Sequence, residues 1–440
     1  MFQQQALAVA RGMGFPGINL ALYPGAIETH SEEELNANIA GLFSVMVKAW
    51  TETPEQAKVA TQSRPTDVVL KGGFDEVNDF FYAKGWTDGL PVVPPTAARV
   101  DAMLKWTDID PDETIAILPI ANLRATPRKI AVNAVMAGCR PEYMPVLIAA
   151  VQAISDPIYQ LKDINTTGSI KPFFVVNGPL AKWLDINAGT SLMAPGRKSN
   201  STIGRALGLI IRNIAGFREG ETSNGCFGWP GSPWVMAEDE ENSPWEPYHV
   251  SNGFKPEAST VTAMMMMNMT NQAMTAGDTA EPHLTGLCYK LSQAFGTTFM
   301  QMGEEHGSMF VLISPANARV IAKEFSKQGT REYLAANAKL LVSDIDTEFR
   351  FTFAESKDSV HSLVASGKIP RDWDQPQDVK VPFITTPRVI HIVVCGSAQR
   401  NRNLVMRASY CTPVTREIRL PQDMPLHPQG APHQSSGVTP

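Results

Sequence analysis

The sequence is short of cysteine and of long apolar runs, and each shortage excludes a class of protein. Five cysteines in 440 residues are an odd number and none forms a C-x-x-C pair, which is typical of reduced thiols rather than of a disulfide framework. No apolar run is long enough to cross a bilayer. The N-terminus, Met-Phe-Gln-Gln-Gln, lacks the basic start and apolar stretch of a secretory signal. We therefore expect a globular, cytoplasmic protein that does not enter the membrane.

Excess positive charge is also missing. The net charge is −6, only 19% of the residues are charged, and lysine and arginine are scattered singly. This pattern lacks the electrostatic footprint of a nucleic-acid or anionic-membrane binder. A small polar ligand is the favoured partner, and the length predicts two or three structural units.

Helical and strand patterns alternate along the chain, which predicts an α/β fold with a mixed or parallel sheet flanked by helices. We expect strands near residues 173–177, 260–266, 308–314 and 389–395. Residues 51–72 are polar, lack apolar periodicity and are interpreted as a linker. The main domain is expected over residues 73–420, followed by a disordered tail over residues 421–440 that is rich in Pro, Gln, Ser and His.

The first 50 residues predict an incomplete α/β unit. Their pattern indicates a helix at residues 5–12, a strand at 17–23 and a helix at 31–50. Ser31 and Glu34 have the spacing of a capping box at the start of the second helix. One strand cannot bury two helix faces, because parallel strands need neighbours. We expect a second protein chain to supply the missing strands, in a hetero-oligomer.

A proline- and glycine-rich segment at residues 85–95, Gly-Trp-Thr-Asp-Gly-Leu-Pro-Val-Val-Pro-Pro, displays one indole and one carboxylate on a fixed backbone. It is interpreted as a site loop, in which Trp86 contacts substrate and Asp88 transfers protons. The alternative is a rigid connector in which Asp88 caps a turn and Trp86 packs on the core.

A predicted helix start at residues 199–205, Ser-Asn-Ser-Thr-Ile-Gly-Arg, is typical of an anion site, because free N–H groups and basic side chains meet there. Asn200 and Arg205 would orient an anionic substrate. The alternative is an ordinary polar cap with surface cations. The glycine pattern of a P-loop is absent, so no nucleotide is indicated.

A glycine-rich loop at residues 223–231 carries Cys226. Backbone amides in such a loop can point at the sulfur and stabilise a thiolate, so Cys226 is the candidate reactive thiol. A buried, inert cysteine is the alternative.

Acidic, aromatic and imidazole groups follow one another over residues 238–249. Glu238 and His249 are candidates for general acid–base catalysis, and Trp245 for substrate binding. A metal-dependent lyase or hydrolase using Glu246, His249 and the Glu-Glu-His at residues 304–306 is an alternative. No two histidines have helical metal-ligand spacing, and no motif indicates a particular cofactor.

Several of these segments together resemble the UGSC (seleno)protein family. They are the loop at residues 85–95, Ala-Gly-Cys-Arg-Pro-Glu-Tyr at 137–143, Asn-Gly-Pro at 177–179, the stretch 200–205, and Ser-Pro-Trp-Glu-Pro at 243–247. The resemblance covers residues 73–420. The family is named for a selenocysteine- or cysteine-Gly-Ser-Cys motif in a small α/β domain, fused or separate. This sequence lacks that motif, since Cys395-Gly-Ser has no second cysteine, and residues 1–50 resemble only the end of the small domain.

The resemblance implies thiol or selenol chemistry by an oxidoreductase or lyase whose principal thiol lies on a partner chain. In this interpretation Asp88, Glu238 and His249 handle protons, Cys226 assists the partner's thiol, and Asn200 and Arg205 hold a small polar or anionic substrate. A non-catalytic scaffold that completes the partner's domain is the remaining alternative.

Overall fold

The computed structural model describes residues 2–15, 17–54, 67–294, 307–352, 360–367, 369–408 and 411–423. Most of the predicted linker and of the predicted tail therefore lies outside the described residues. The α-helices are α1 (Gln3–Gly12), α2 (Glu32–Thr51), α3 (Phe74–Ala83), α4 (Ala97–Leu104), α5 (Pro127–Ala137), α6 (Met144–Ile154), α7 (Pro179–Trp183), α8 (Lys198–Ile210), α9 (Tyr248–Ser251), α10 (Ala280–Ala294), α11 (Pro315–Ile321), α12 (Lys327–Asn337), α13 (Val342–Thr352) and α14 (Val360–Ala365). The strands are β1 (Ala116–Leu118), β2 (Leu123–Ala125), β3 (Lys171–Asn177), β4 (Trp234–Ala237), β5 (Thr260–Met269), β6 (Ala273–Met274), β7 (Met309–Ile313), β8 (Lys339–Leu341), β9 (Lys380–Pro382), β10 (Ile390–Val394), β11 (Arg402–Ala408) and β12 (Val414–Glu417).

The central sheet is mixed, which confirms the predicted α/β class. Its strand order is β10-β7-β11-β5-β3-β4, with β12 paired to β5 and β6 to β11. Parallel pairs stand at both ends of this path, β10 with β7 and β3 with β4, and antiparallel pairs join them. A flat sheet would separate β4 from β10 by roughly 24 Å. Asp239 N–H nevertheless donates to Val394 O at 2.8 Å, so the sheet curls and brings the segment after β4 to the end of β10.

Both faces of the sheet are covered by helices. In β7, Met309, Val311 and Ile313 belong to an apolar cluster shared with α10, α11 and α12. Phe310 and Leu312 belong to a second cluster shared with α5, α6 and α8. Alternate residues of a strand point to opposite faces, so β7 is fully apolar because both of its faces are buried.

Local signals explain the helices that carry the core. Thr126 caps α5 by accepting a hydrogen bond from Lys129 N–H, and Pro127 occupies the first turn, where a missing N–H costs nothing. Gly138 ends the helix in the left-handed region, at φ 83°. The helix between these signals packs against α8 and α6.

The N-terminal unit is held to this body through α1. Ala10 is buried, and Asn122 Nδ2 donates to Gly12 O at 3.0 Å. A Cβ on Gly12 would lie 2.4 Å from the carbonyl oxygen of Ile120, so only glycine permits this approach. The helix therefore rests directly on the main domain.

The predicted strand at residues 17–23 is wrong for the described chain. The segment has no regular secondary structure and pairs with no described strand. Side chains attach it to α2 instead: Asn19 Nδ2 donates to Glu52 O at 2.8 Å, and Asn38 Nδ2 donates to the Tyr23 hydroxyl at 3.1 Å.

The helix α2 begins with the predicted capping box, in which Ser31 and Glu34 bond reciprocally. It contains no buried residue. Its apolar side chains face solvent, with Ile39 53%, Phe43 66% and Trp50 77% exposed. Among the described residues, no helix is both long and apolar enough to span a membrane.

Candidate functional site

The loop at residues 85–95 is clamped to α8 by an ion pair. Arg205 Nε donates to Asp88 Oδ2 and Arg205 Nη2 to Asp88 Oδ1, both at 2.8 Å. The same guanidinium donates to the carbonyl oxygens of Leu90 and Pro91 at 3.2 and 2.9 Å. Burial raises the pKa of Asp88, but the hydrogen bond and charge of Arg205 outweigh it and hold that pKa below its usual range. Asp88, predicted to transfer protons, and Arg205, predicted to orient an anionic substrate, therefore bind each other.

The three candidate binding residues that remain are engaged with the protein itself. Trp86 packs edge-on against Phe80 and Phe81, at 5.8 and 5.3 Å between ring centroids. Asn200 is 7% exposed, and its amide spans two backbone groups, donating to Val235 O at 2.8 Å and accepting from Asn187 N–H at 2.9 Å. Trp245 Nε1 donates to Phe325 O at 3.2 Å.

Glu238 follows β4 and lies in a buried polar cluster. Its Oε2 accepts from Asn177 Nδ2 and from Tyr248 N–H, both at 2.6 Å. Lys327 Nζ lies 4.0 Å from Oε1, and both side chains are almost fully buried. Burial raises the pKa of Glu238, although the positive charge of Lys327 partly offsets this shift. Burial also lowers the pKa of Lys327.

His249 belongs to the same cluster and is fully buried. Its Nδ1 lies 3.7 Å from Glu240 Oε1, which accepts from Gly178 N–H at 2.7 Å and from Asn177 Nδ2 at 2.9 Å. Neither ring nitrogen has a hydrogen-bond partner among the described residues. The structure thus brings Glu238 and His249 together, although their surroundings separate both from solvent.

Cys226 is exposed and lies in a loop fixed by its backbone. Its N–H donates to Thr167 O at 2.9 Å, Gly228 N–H donates to Ser169 Oγ at 3.0 Å, and Trp229 Nε1 donates to Ser169 O at 2.9 Å. The loop is therefore held against residues 167–169.

The other four cysteines are shielded. Burial raises the pKa of Cys139, Cys288 and Cys411 to about 12 each, and raises that of Cys395 further. All four are therefore neutral thiols at physiological pH.

A cavity of about 390 Å³, the thiol pocket, lies beside Cys226 and is also lined by Ser169, Lys171, Glu219 and Trp229. Lys171 is 3% exposed, and its amine donates to the carbonyl oxygens of Pro230 and Gly231. Burial lowers the pKa of Lys171 to about 8. The pocket thus combines an exposed sulfur with an amine that changes charge near neutral pH.

Lys171 was not among the residues predicted from sequence. The sequence nevertheless holds a signal for it, because this lysine directly precedes the apolar run Pro-Phe-Phe-Val-Val. Such a run is typical of a buried β-strand, in which a positive charge has a high desolvation free energy. Its amine also lies 5.1 Å from the ring centroid of Trp234. The contact stabilises the charged form through a cation–π interaction.

The thiol loop touches the N-terminal unit. Asn224 Nδ2 donates to Gln5 Oε1 of α1 at 3.3 Å. An apolar groove of about 550 Å³ begins at the same helix, lined among others by Phe2, Val9 and Met13. The exposed thiol and the uncovered apolar surface are therefore neighbours.

The predicted site residues do not form one constellation. Lys171, in the thiol pocket, begins β3, and Asn177, in the buried cluster, ends it. Six residue steps along a strand place them about 20 Å apart. Cys226 is therefore remote from Glu238 and His249.

No three His, Cys, Asp or Glu side chains within the described ranges meet in a group able to hold a metal ion. The Glu-Glu-His at residues 304–306 lies outside those ranges. Comparisons with protein-family models, with curated proteins and with solved structures found no match.

Proposed function

We propose that the chain is one subunit of a heteromeric, thiol-dependent cytoplasmic enzyme, an oxidoreductase or lyase that acts on a small polar or anionic substrate. The observation that carries the proposal is the contact between Asn224 and Gln5. It makes the loop of Cys226 a neighbour of the unit that is short of strands. A partner docked there would bring its own reactive thiol to the edge of the thiol pocket.

The chemistry rests on Cys226 and Lys171. All five cysteines lie within the described residues, and Cys226 is the exposed one. An amine with a pKa of about 8 exists in both charge forms near neutral pH. It can attract an anionic substrate as an ammonium and accept a proton as an amine.

The need for a partner rests on α2 and the segment at residues 17–23. Phe43 and Trp50 are exposed on a helix without buried residues, and no described strand pairs with the segment at residues 17–23. Strands from a partner chain would form hydrogen bonds with the backbone at residues 17–23 and would also cover the apolar face of α2. The partner that fits this surface is a compact α/β fragment that supplies the missing strands.

In the proposed reaction the substrate is a small disulfide: the partner's thiolate attacks one of its sulfurs, the other sulfur leaves as a thiolate and takes up a proton, and the partner is joined to the remaining half of the substrate as a mixed disulfide. The Cys226 thiolate attacks the partner's sulfur, the substrate leaves with the bond's electron pair and takes up a proton, and a disulfide between the subunits remains. An external dithiol then reduces that disulfide and is itself oxidised.

The test is to trap this intermediate. The tagged chain is purified from its own cells with free thiols blocked by N-ethylmaleimide, and disulfide-linked peptides are identified by mass spectrometry. We expect Cys226 joined to a cysteine of a second protein. The adduct should persist in the matched variant Cys288→Ser and vanish in Cys226→Ser.

Two outcomes contradict the proposal. One is an adduct that survives Cys226→Ser. The other is a chain that purifies from its own cells as a monodisperse monomer, with Cys226 blocked by maleimide and joined to no partner.

A further inference from the structure

We infer that a second cavity, distinct from the thiol pocket, binds a small amphipathic anion. The cavity has a volume of about 810 Å³; we name it the arginine cavity. Ser314, which follows β7, and Cys395, which follows β10, both line it. Because β7 and β10 are parallel, their carboxyl ends open on the same side, which is where α/β sheets hold ligands.

The charge of the cavity is positive. Arg400 and Arg402 line it, and no aspartate or glutamate belongs to its described lining. Both arginines are exposed, and neither forms an ion pair with a described residue. Two guanidinium groups without an ion-pair partner attract anionic oxygens, and their forked geometry suits carboxylate and phosphate alike.

A third donor, the amide of Asn403, stands in the wall of the same cavity. The side chain is 1% exposed, and its Nδ2 has no hydrogen-bond partner among the described residues. A buried amide donor without a partner costs about 1–3 kcal/mol. A ligand oxygen in the arginine cavity would remove that cost.

A chain of buried hydrogen bonds fixes the direction of this donor. Gly277 O accepts from His283 Nε2 at 3.1 Å, so His283 Nδ1 accepts from the Thr275 hydroxyl at 2.7 Å. Thr275 Oγ1 in turn accepts from Asn317 Nδ2 at 3.2 Å. Asn317 Nδ2 also donates to Asn403 Oδ1 at 2.9 Å. The carbonyl of Asn403 is thus held toward Asn317, and its NH₂ group is held away from it.

The remaining wall is apolar. Leu192, Met193, Leu312 and Leu404 line the cavity beside the donors. A simple inorganic ion would leave these side chains without a partner. The ligand class is therefore a carboxylate or a phosphate monoester carried on a small apolar body.

The test uses three probes with the same ring: phenyl phosphate, benzoate and the neutral benzyl alcohol. Binding to the full chain is measured by isothermal titration at low and at physiological salt. We expect at least one of the anions to bind, and the alcohol to bind about tenfold more weakly or worse, because it lacks the charge. Comparing phosphate with carboxylate identifies the headgroup.

Arg402→Gln and Asn403→Asp should each weaken the preferred anion about tenfold. Arg402 is exposed, so its variant tests the inference even if Asn403→Asp unfolds. Arg371→Gln, an exposed arginine outside the cavity, and Cys226→Ser should bind like the parent chain. Equal affinity for anion and alcohol, or unchanged affinity in Arg402→Gln, would overturn the inference and leave the thiol proposal untouched.

Discussion

Arg205 binds Asp88 in bidentate geometry across 117 residues of sequence, with both nitrogen–oxygen distances at 2.8 Å. The pair joins the loop at residues 85–95 to α8, and the two carbonyl bonds of Arg205 close the clamp. This contact and the prolines together restrict the conformations open to the loop.

Removing the charge of Asp88 should loosen the clamp. We expect Asp88→Asn to lower the free energy of unfolding by about 1–2 kcal/mol, since the pair is partly buried. The double variant with Arg205→Gln should lose less than the sum of the single losses. Urea unfolding measures all three. Asp185→Asn, in the exposed pair with Arg197, is the control, with a loss of about 0.5 kcal/mol or less.

The pH dependence of this contribution has a definite sign. The folded-state pKa of Asp88 is lowered, so the ion pair stabilises the protein above the ordinary aspartate pKa. That stability is lost as the pH falls through the lower, folded-state pKa. Acid unfolding of Asp88→Asn should lack this component, and identical acid profiles would contradict it.

The buried pair of Glu238 and Lys327 predicts a larger effect. Lys327→Met leaves a carboxylate buried without its cation, which should cost about 3–5 kcal/mol. Adding Glu238→Gln should recover much of the loss, because the remaining groups are neutral. Denaturant unfolding of the two single variants and the double variant checks this. A double variant whose loss of unfolding free energy equals the sum of the two single losses would refute it.

The lowered pKa of Lys171 predicts that the free energy of unfolding increases at alkaline pH. Its folded-state pKa is about 8, below the ordinary 10.5, so the unfolded chain binds more protons between these values. Unfolding free energy should therefore increase with pH across that window. Lys171→Met should flatten the increase, while Lys182→Met, at an exposed lysine, should keep it.

Cys226 should be the first thiol to react. With iodoacetamide at pH 7.5 we expect one fast-labelled cysteine, assigned to Cys226 by peptide mapping, because the other four are shielded. Cys226→Ser should lose the fast phase without a change in melting temperature. Fast labelling of Cys288 or Cys411 in the folded chain would contradict the described burial.

The exposed face of α2 should drive self-association of the isolated chain. Phe43→Asp should shift it toward monomer in sedimentation with little loss of stability, because Phe43 is 66% exposed. Tyr82→Asp, at a comparably exposed aromatic on α3, should leave the association unchanged. A wild-type chain that is monomeric at every concentration would count against an uncovered interface.

Local signals made much of the fold predictable. The helix expected at residues 31–50 corresponds to α2, and the strands expected near 173, 260, 308 and 389 correspond to β3, β5, β7 and β10. Each is a run of periodic or continuous apolar residues between turn signals. The strand expected at 17–23 failed because a strand depends on a neighbour, which apolar residues alone do not supply.

The site was less predictable than the fold. The interpretation of residues 85–95 as a site loop stays a prediction, and the bond from Asp88 to Arg205 depends on tertiary packing. For Lys171 the apolar run that follows it indicates a buried strand, but the degree of burial that lowers its pKa is set by tertiary packing. The donor direction of Asn403 comes from residues 277, 275, 283 and 317, and only the folded chain assembles them.

Trp234 has a position that bears on both cavities. Its ring lies under the ammonium of Lys171, at the thiol pocket, and its side chain also lines the arginine cavity. One indole thus contacts the lysine of the thiol pocket and lines the arginine cavity. A ligand that displaces the ring would weaken the cation–π contact and disfavour the proton on Lys171. By linkage, deprotonating Lys171 would alter the affinity for that ligand by the same factor.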